Sequence, residues 1–327
     1  MRMRERSLSR ATERAWIVLI AVALAAVVVA LTPAPASGDE LSDIPGAFVD
    51  VGIGARPMAM AGAVAAAARG AGTIFWNPAC LGNGDRPTEF AITYCDQLGL
   101  VPYTAAAGVK RLNSGYSIGL GLIYSGDEVL SETTALLGAS RAVGTLPWCE
   151  ERVIEVGAAV RTRWASFGSN DSTEGQVTGS ALGFGLDVGT TVPLTPAATL
   201  GIVTRDIVNA LNWDTSSGGT YSEGVVPAVV TGVAFEPRDD LLLEVDIDKA
   251  LYQDGRDLVS LGAEIKLFGV AALRGGYRKD LTYSDLEEYA VGGGAEVATG
   301  STVIGVDLAY LFGDLENTMR FTLGVGL

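Results

Sequence analysis

In the stretch GSALGFGLDVGTTV at 179–192, Leu182, Phe184, Leu186 and Val188 alternate with Gly183, Gly185, Asp187 and Gly189. A period of two puts each set on its own face of a β-strand, whereas a helix would mix them. The pattern recurs along the chain. DLLLEVDID (240–248) sets Leu241, Leu243, Val245 and Ile247 against Leu242, Glu244, Asp246 and Asp248. SLGAEIKLF (260–268), VIGVDLAYLF (303–312) and the closing RFTLGVGL alternate in the same way. Pattern and turn signals together predict strands at 88–95, 101–111, 115–124, 131–142, 152–165, 179–192, 196–206, 226–236, 239–248, 258–268, 270–279, 286–297, 303–311 and 318–327. Most exceed the roughly five or six residues of a soluble strand and approach the length a tilted strand needs to cross a bilayer. Breaks such as SFGSNDSTEG (166–175) and WDTSSGGTYSEG (213–224) are long and polar, while FEPRDD (235–240) is tight. Long loops alternating with short turns are the habit of membrane barrels.

The two faces decide which solvent the sheet meets. A soluble sandwich also alternates, but its polar face carries many Lys and Glu and few glycines, because glycine inside a strand is costly. Here the second face mixes Gly and Ala with sparse charges of both signs: Glu155, Arg161, Arg163, Asp187, Arg205, Glu244, Asp246, Glu264, Lys266, Arg274 and Arg278. With 48% hydrophobic residues, 42 glycines and a mean hydropathy of +0.31, the apolar face is too large for water alone. The reading is an all-β fold, a transmembrane antiparallel β-barrel of about 14 strands spanning 88–327, with these charges lining its lumen. Closure also removes the sheet edges. Trp148, Trp164, Trp213 and Tyr310 are the candidates for the aromatic girdle at the membrane interfaces.

Residues 1–36 stand outside this pattern. Arg2, Arg4, Arg6, Arg10 and Arg14 precede the uncharged run AWIVLIAVALAAVVVAL at 15–31, and Ala34-Pro35-Ala36 fits a small-x-small cleavage site. A signal peptide cleaved near Ala36 is expected. An uncleaved anchor is the alternative, since about 17 residues is the lower limit for spanning. Export leads to the cell outer membrane, with outer-membrane lipid and the barrel-assembly machinery as partners. Removing the leader's five Arg and two Glu leaves 18 basic against 36 acidic residues, a net charge of −18. That balance excludes a nucleic-acid partner, whose phosphates reward a basic face.

The chain has no histidine, and so lacks the commonest general base and metal ligand. Gly115-Tyr116-Ser117-Ile118-Gly119 spells Gly-x-Ser-x-Gly, but it falls in the predicted strand 115–124 and not on the strand-to-helix turn of a nucleophile elbow. No catalytic residue, cofactor or metal is assigned. Asp246 and Asp248 share a face and could hold a cation, but pairing with lumen Arg or Lys is the preferred reading. Of the three cysteines, Cys80 and Cys95 could form a disulfide, a pairing that the sequence leaves open.

Between leader and strands, 37–87 has a different texture. PMAMAGAVAAAAR (57–69) has high helix propensity apart from Gly62, with Pro57 suited to a first helical position. Then comes TIFWNPACLG (73–82), where Asn77-Pro78 reads as an N-cap followed by proline at the first position of a short turn.

The run ARPMAMAGAVAAAARGAGTIFWNPACLG resembles the N-terminal signature of the PorV/PorQ family within the FadL-like outer-membrane proteins. There a glycine-rich helix leads to Asn-Pro-Ala-Gly-Leu. The matching positions are Arg56, Met60, Gly62, Ala63, Asn77, Pro78, Ala79 and Leu81, with Cys80 where glycine is usual. TLGIVTRDIVNALNWDT (199–215) and LGAEIKLFGVAALRGGY (261–277) extend the similarity along the chain. The resemblance implies a helical, Gly-rich hatch inside the barrel, with Phe75 and Trp76 as its packing anchors. It implies transport of hydrophobic or small solutes through a lumen or lateral opening. Alternatively it implies a type IX secretion shuttle for cargo proteins, or a structural outer-membrane protein.

Overall fold

The computed structural model describes residues 48, 51–97, 99, 101–126, 130–168, 178–252, 255–282, 286–313 and 317–327. The leader and its cleavage site lie outside the described residues, as does most of the polar break after 168. A short helix α1 (Ala55–Ala59) and two 3-10 turns (Ala71–Phe75 and Pro78–Gly82) come first. The strands then run β1 (Thr88–Gln97), β2 (Val101–Arg111), β3 (Tyr116–Gly126), β4 (Leu130–Leu146), β5 (Cys149–Phe167), β6 (Gly179–Thr195), β7 (Ala198–Thr215) and β8 (Gly219–Glu223). They continue as β9 (Ala228–Arg238), β10 (Leu241–Ala250), β11 (Leu258–Leu267), β12 (Ala271–Asp280), β13 (Glu287–Thr299), β14 (Thr302–Gly313) and β15 (Thr318–Gly326).

Neighbours pair antiparallel, and β1 closes on β15 from Glu89↔Gly326 to Cys95↔Arg320. β7 pairs with β9 from Ala198 to Arg205, and with β8 only from Leu211 to Thr215. The closed ring therefore holds fourteen strands, and β8 is an extra arm. Here the reading of 213–224 as a plain polar break needs correction. β7 runs on to Thr215, and β8 returns along it with Trp213 opposite Tyr221, a cross-strand aromatic pair that the break's polar composition hides.

Outward positions form apolar rows across the wall. Leu120, Leu137, Val160, Leu186 and Val208 lie side by side in register on β3 to β7. Leu137 and Val208 expose 58% and 55% of their surface. A large apolar side chain gains about 1.5–3 kcal/mol on leaving water, so a band that encircles the barrel requires lipid as its solvent. Trp148, Trp164 and Tyr310 are exposed on the outside. Trp213 is not, which corrects its place in the girdle. It shares the inward side with Leu211, while Asn212 and Asp214 face out, and its ring packs between Phe167 and Tyr221.

The lumen is filled by residues 53–82. Met58, Met60, Val64, Ile74, Asn77 and Leu81 have at most 1% exposure. Wall glycines make room for them. A Cβ on Gly157 would sit 2.5 Å from Ala79 N, one on Gly292 2.5 Å from Ala59 Cβ, and one on Gly262 2.8 Å from Met60 Cβ. Gly201 and Gly276 lie equally tight against Ala65 and Met60–Ala61. These five strand glycines mark where the hatch touches the wall, while others, such as Gly185 and Gly294, make room for wall side chains.

Two depths on the lipid face yield different expectations. Val245→Arg, at the middle of β10, is expected to destabilise the barrel by about 2–4 kcal/mol, and Val297→Arg, near a strand end, by no more than about 1 kcal/mol. Urea titration of protein refolded into vesicles reads both. Equal costs at the two depths would contradict a membrane-embedded outer face.

Candidate functional site: the hatch and a seam in the wall

Helix propensity across 57–69 does not produce a long helix. The helix starts at Ala55 and stops at Ala59, because Ala61 (φ 52°) and Gly62 (φ 81°) take left-handed conformations. The following amides bond to the wall instead of to a preceding turn. Val64 N and Ala65 N donate to Asp246 Oδ2 at 2.8 and 2.9 Å, and Ala66 N and Ala67 N donate to Glu244 Oε1 at 2.6 and 3.3 Å. Both carboxylates are buried, and charge-assisted bonds of this kind outweigh neutral ones. Tertiary contact overrides propensity here.

Asn77 caps the turn that Pro78 opens: its Oδ1 accepts from Ala79 N at 3.0 Å, and its Nδ2 donates to Ala65 O at 2.7 Å. Trp76 Nε1 donates to Ile53 O at 2.7 Å, with the Arg205 guanidinium 5.5 Å from its ring. Phe75 packs on Gly121 of β3 and Ala79 on Gly157 of β5. Arg56 holds Glu264 with two bonds, 2.8 and 3.1 Å, and Arg274 bridges Glu264 to Asp307 at 2.6 Å each. Arg278 Nε donates to Ala61 O at 2.9 Å, beneath Gly62. Burial pushes the Cys80 thiol well above its ordinary range, so it sits there neutral. Cys80, Cys95 and Cys149 are all unbridged.

The lumen charges named from sequence separate into groups. Arg56, Arg274, Arg278, Glu244, Asp246 and Glu264 meet at the hatch. Arg161–Asp187 (2.7 Å) and Arg163–Asp206 (2.7 Å) form a second group on β5 to β7. Glu155 is buried against Gly82. Lys266 does not join them and stands exposed at the end of β11. The preferred pairing of the Asp246–Asp248 carboxylates holds for one of them: Asp248 approaches Arg205 at 3.7 Å, while Asp246 takes hatch amides in place of a cation.

Several residues escaped the sequence reading. Arg320 of β15, 1% exposed, donates to Gly52 O and Val51 O at 2.7 Å each and holds the hatch entrance. Arg111 holds the hatch exit through Leu81 O, Asn83 O and Arg86 O. Only their inward parity in an otherwise apolar alternation could have revealed them.

The wall has one irregular place. Asp187 of β6 stands opposite three residues of β7, Arg205 to Ile207, so β7 bulges, with Asp206 at φ 51°. Ile207 and Val208 are consecutive and both exposed to lipid. On its other side β7 leaves β9 at Arg205 and meets β8 at Leu211, so Asp206–Ala210 have no strand partner there. The Asn209 side chain bridges the gap. Its Nδ2 donates to Asp206 O (2.7 Å) and Val225 O (2.9 Å), and its Oδ1 accepts from Val225 N (2.8 Å). A side-chain amide thus does the work of a missing ladder peptide. Inside the seam, Leu211 and Trp213 pack with Ala165, Ala181, Phe48 and Phe167. An open depression of about 710 Å³ at this end is lined by Trp164, Leu182, Trp213 and Tyr221.

The geometry defines the class: a fourteen-stranded transmembrane barrel whose lumen is filled by its own N-terminal segment. Solved structures share this fold. The monoaromatic hydrocarbon channel CymD superposes with a TM-score of 0.57 at 19% identity, over 85% of this chain and 97% of its own. The Pseudomonas putida toluene transporter TodX gives 0.58 at 14%, over 84% and 97%. A Pseudomonas aeruginosa FadL homologue gives 0.58 at 11%, over 83% and 97%. The sequence matches no protein-family model and no curated protein.

The buried charge ladder carries its own expectation. Glu264→Ala strands Arg56 and Arg274 without their shared carboxylate and is expected to cost about 3–5 kcal/mol. Lys266→Ala, exposed on the same strand, is expected to stay within about 0.5 kcal/mol. Urea midpoints of the refolded variants compare them; similar values for the two would contradict a structural role for the ladder.

Proposed function

We propose that this protein admits small apolar solutes across the outer membrane, taking them up at the aromatic cluster of the long-loop end and releasing them sideways through the seam between β7 and β9. The observation that carries this reading is the juxtaposition of the two. The Phe48–Phe167–Trp213–Leu211 cluster adjoins a wall segment closed by one amide side chain, above a lumen filled by the hatch. An apolar solute gains nothing from an aqueous pore, whereas an apolar pocket opening towards lipid lets it stay out of water throughout. The fold shared with a toluene transporter and a hydrocarbon channel supports the solute class. Short turns at the opposite end suit a periplasmic side. The secretion-shuttle alternative rests on the hatch motif and draws no support from these folds.

The test is uptake by cells lacking their own hydrocarbon and fatty-acid channels. The wild type is expected to take up a labelled monoaromatic hydrocarbon faster than empty cells, with no gain for a sugar of similar size. Asn209→Ala, which removes the two bonds that bridge to Val225, is expected to change hydrocarbon uptake several-fold and leave sugar exclusion intact. Hydrocarbon uptake at the empty-cell rate would overturn the proposal, and uptake indifferent to Asn209 would overturn the lateral route.

A further inference from the structure

Glu244 and Asp246 are two inward acids on one strand, both buried and neither paired with an arginine. Every other buried acid of the hatch and seam groups, Glu264, Asp187 and Asp206, has an arginine within 2.8 Å. Glu244 and Asp246, 1% and 3% exposed, have only four backbone amides, all from the hatch. Each keeps one buried oxygen, Oε2 of Glu244 and Oδ1 of Asp246, that accepts no hydrogen bond. The two side chains lie on one face of β10, two residues apart, and take consecutive amides of the same hatch segment.

Among the described residues, no cation hydrogen-bonds to either carboxyl. Arg56 of the hatch is taken up by Glu264 of β11, and Arg205 of β7 lies towards Asp248 and Trp76. Ser260 and Gly262 of β11 stand opposite the pair, as do Gly232 and Ala234 of β9. Cys80 of the hatch is a neutral thiol. A metal ion is a poor fit: calcium wants six or more oxygen ligands, and among the described residues no three His, Cys, Asp or Glu side chains converge.

Two carboxylates this close and this dry do not both stay ionised, since like charges in a shared desolvated site hold one proton between them. We propose that Glu244 and Asp246 form a single-proton site, and that this shared proton latches the hatch to the barrel wall. With one proton, the pair carries one negative charge spread over two groups. The amide-facing oxygens, Glu244 Oε1 and Asp246 Oδ2, keep accepting from residues 64–67, and the proton resides on one of the remaining oxygens. Loss of the proton sets two buried charges against each other. Gain of a second removes the charge that strengthens the four amide bonds. Either change loosens residues 64–67, and with them the segment between Arg56 and Asn77. The site stands independently of the transport proposal, because it concerns how the hatch is held.

Infrared spectroscopy of the protein refolded in detergent tests the proton directly. At neutral pH a buried protonated carboxyl stretch is expected. With Glu155→Gln as the background, so that this other buried carboxyl adds nothing, the band should persist with the pair intact and vanish in Glu244→Gln and in the Glu244→Gln/Asp246→Asn double variant. Hydrogen exchange read by mass spectrometry tests the latch. After correction for the intrinsic pH dependence of exchange, amides 64–67 of the wild type should be best protected at an intermediate pH and lose protection on both sides. Glu244→Gln, still an acceptor for Ala66 and Ala67, should keep that protection and lose the alkaline limb. Glu244→Ala should raise exchange by about tenfold or more, the scale of one charge-assisted hydrogen bond. A Glu155→Gln spectrum with no protonated carboxyl would overturn the proton site. A Glu244→Gln hatch as exposed as that of Glu244→Ala would overturn the latch.

Discussion

Everything inside this barrel depends on one constraint: a buried backbone without regular secondary structure must find hydrogen-bond partners outside itself. Residues 60–82 are mostly turns, yet nearly all are buried. Their amides and carbonyls cannot reach water; turn bonds within the segment satisfy part of them, and the wall supplies further partners. Glu244 and Asp246 accept from four successive amides. Arg278, Arg111 and Arg320 donate to carbonyls in the middle, at the exit and at the entrance of the hatch. The wall glycines are the steric counterpart of the same demand. A backbone can bond to a strand's side chains only if it approaches that strand closely, and a Cβ at Gly157, Gly262 or Gly292 would prevent the approach.

The charges are therefore arranged by function in the fold, not by an even lining of a water channel. Ion pairs such as Arg56–Glu264–Arg274–Asp307 sit where two elements must be held at a fixed distance. Their worth lies in specificity, because a buried pair in good geometry gains little overall but is costly to break. Glu244 and Asp246, without cations in contact, accept from hatch backbone instead. The seam obeys the same logic on the wall itself. Where the bulge of β7 interrupts the ladder, Asn209 supplies the donors and the acceptor that the interruption removes, so the wall stays closed without a full set of strand bonds.

How far this was legible in the sequence varies with the kind of interaction. The alternation of GSALGFGLDVGTTV assigns Leu182 and Phe184 outward and Gly183 and Gly185 inward, and β6 places them so. The ring of fourteen strands was legible for the same reason. The arm at Gly219–Glu223 was not, because its pairing with β7 is carried by Trp213 and Tyr221 inside a stretch that otherwise reads as polar loop. The inward turn of Trp213 was hidden too, since an aromatic residue near a strand end reads equally well as interface girdle. Lys266 shares its parity with Glu264, yet it lies one step beyond the packed lumen, a depth that parity does not encode.

By itself the sequence determined which residues face lipid, since a strand's pleat settles that locally at each position. It also placed the starts of the ring strands to within a few residues, with a segment of different texture before them. Only the tertiary structure decided that the alanine run abandons its helix and that β7 bulges at Asp206. It likewise decided that Glu244 and Asp246 bind amides rather than arginines. These choices rest on contacts between residues as far apart as Val64 and Asp246, 182 positions along the chain, which exist only once the barrel's register is closed. A local period can assign a face; it cannot choose the partner that the closed ring brings to it.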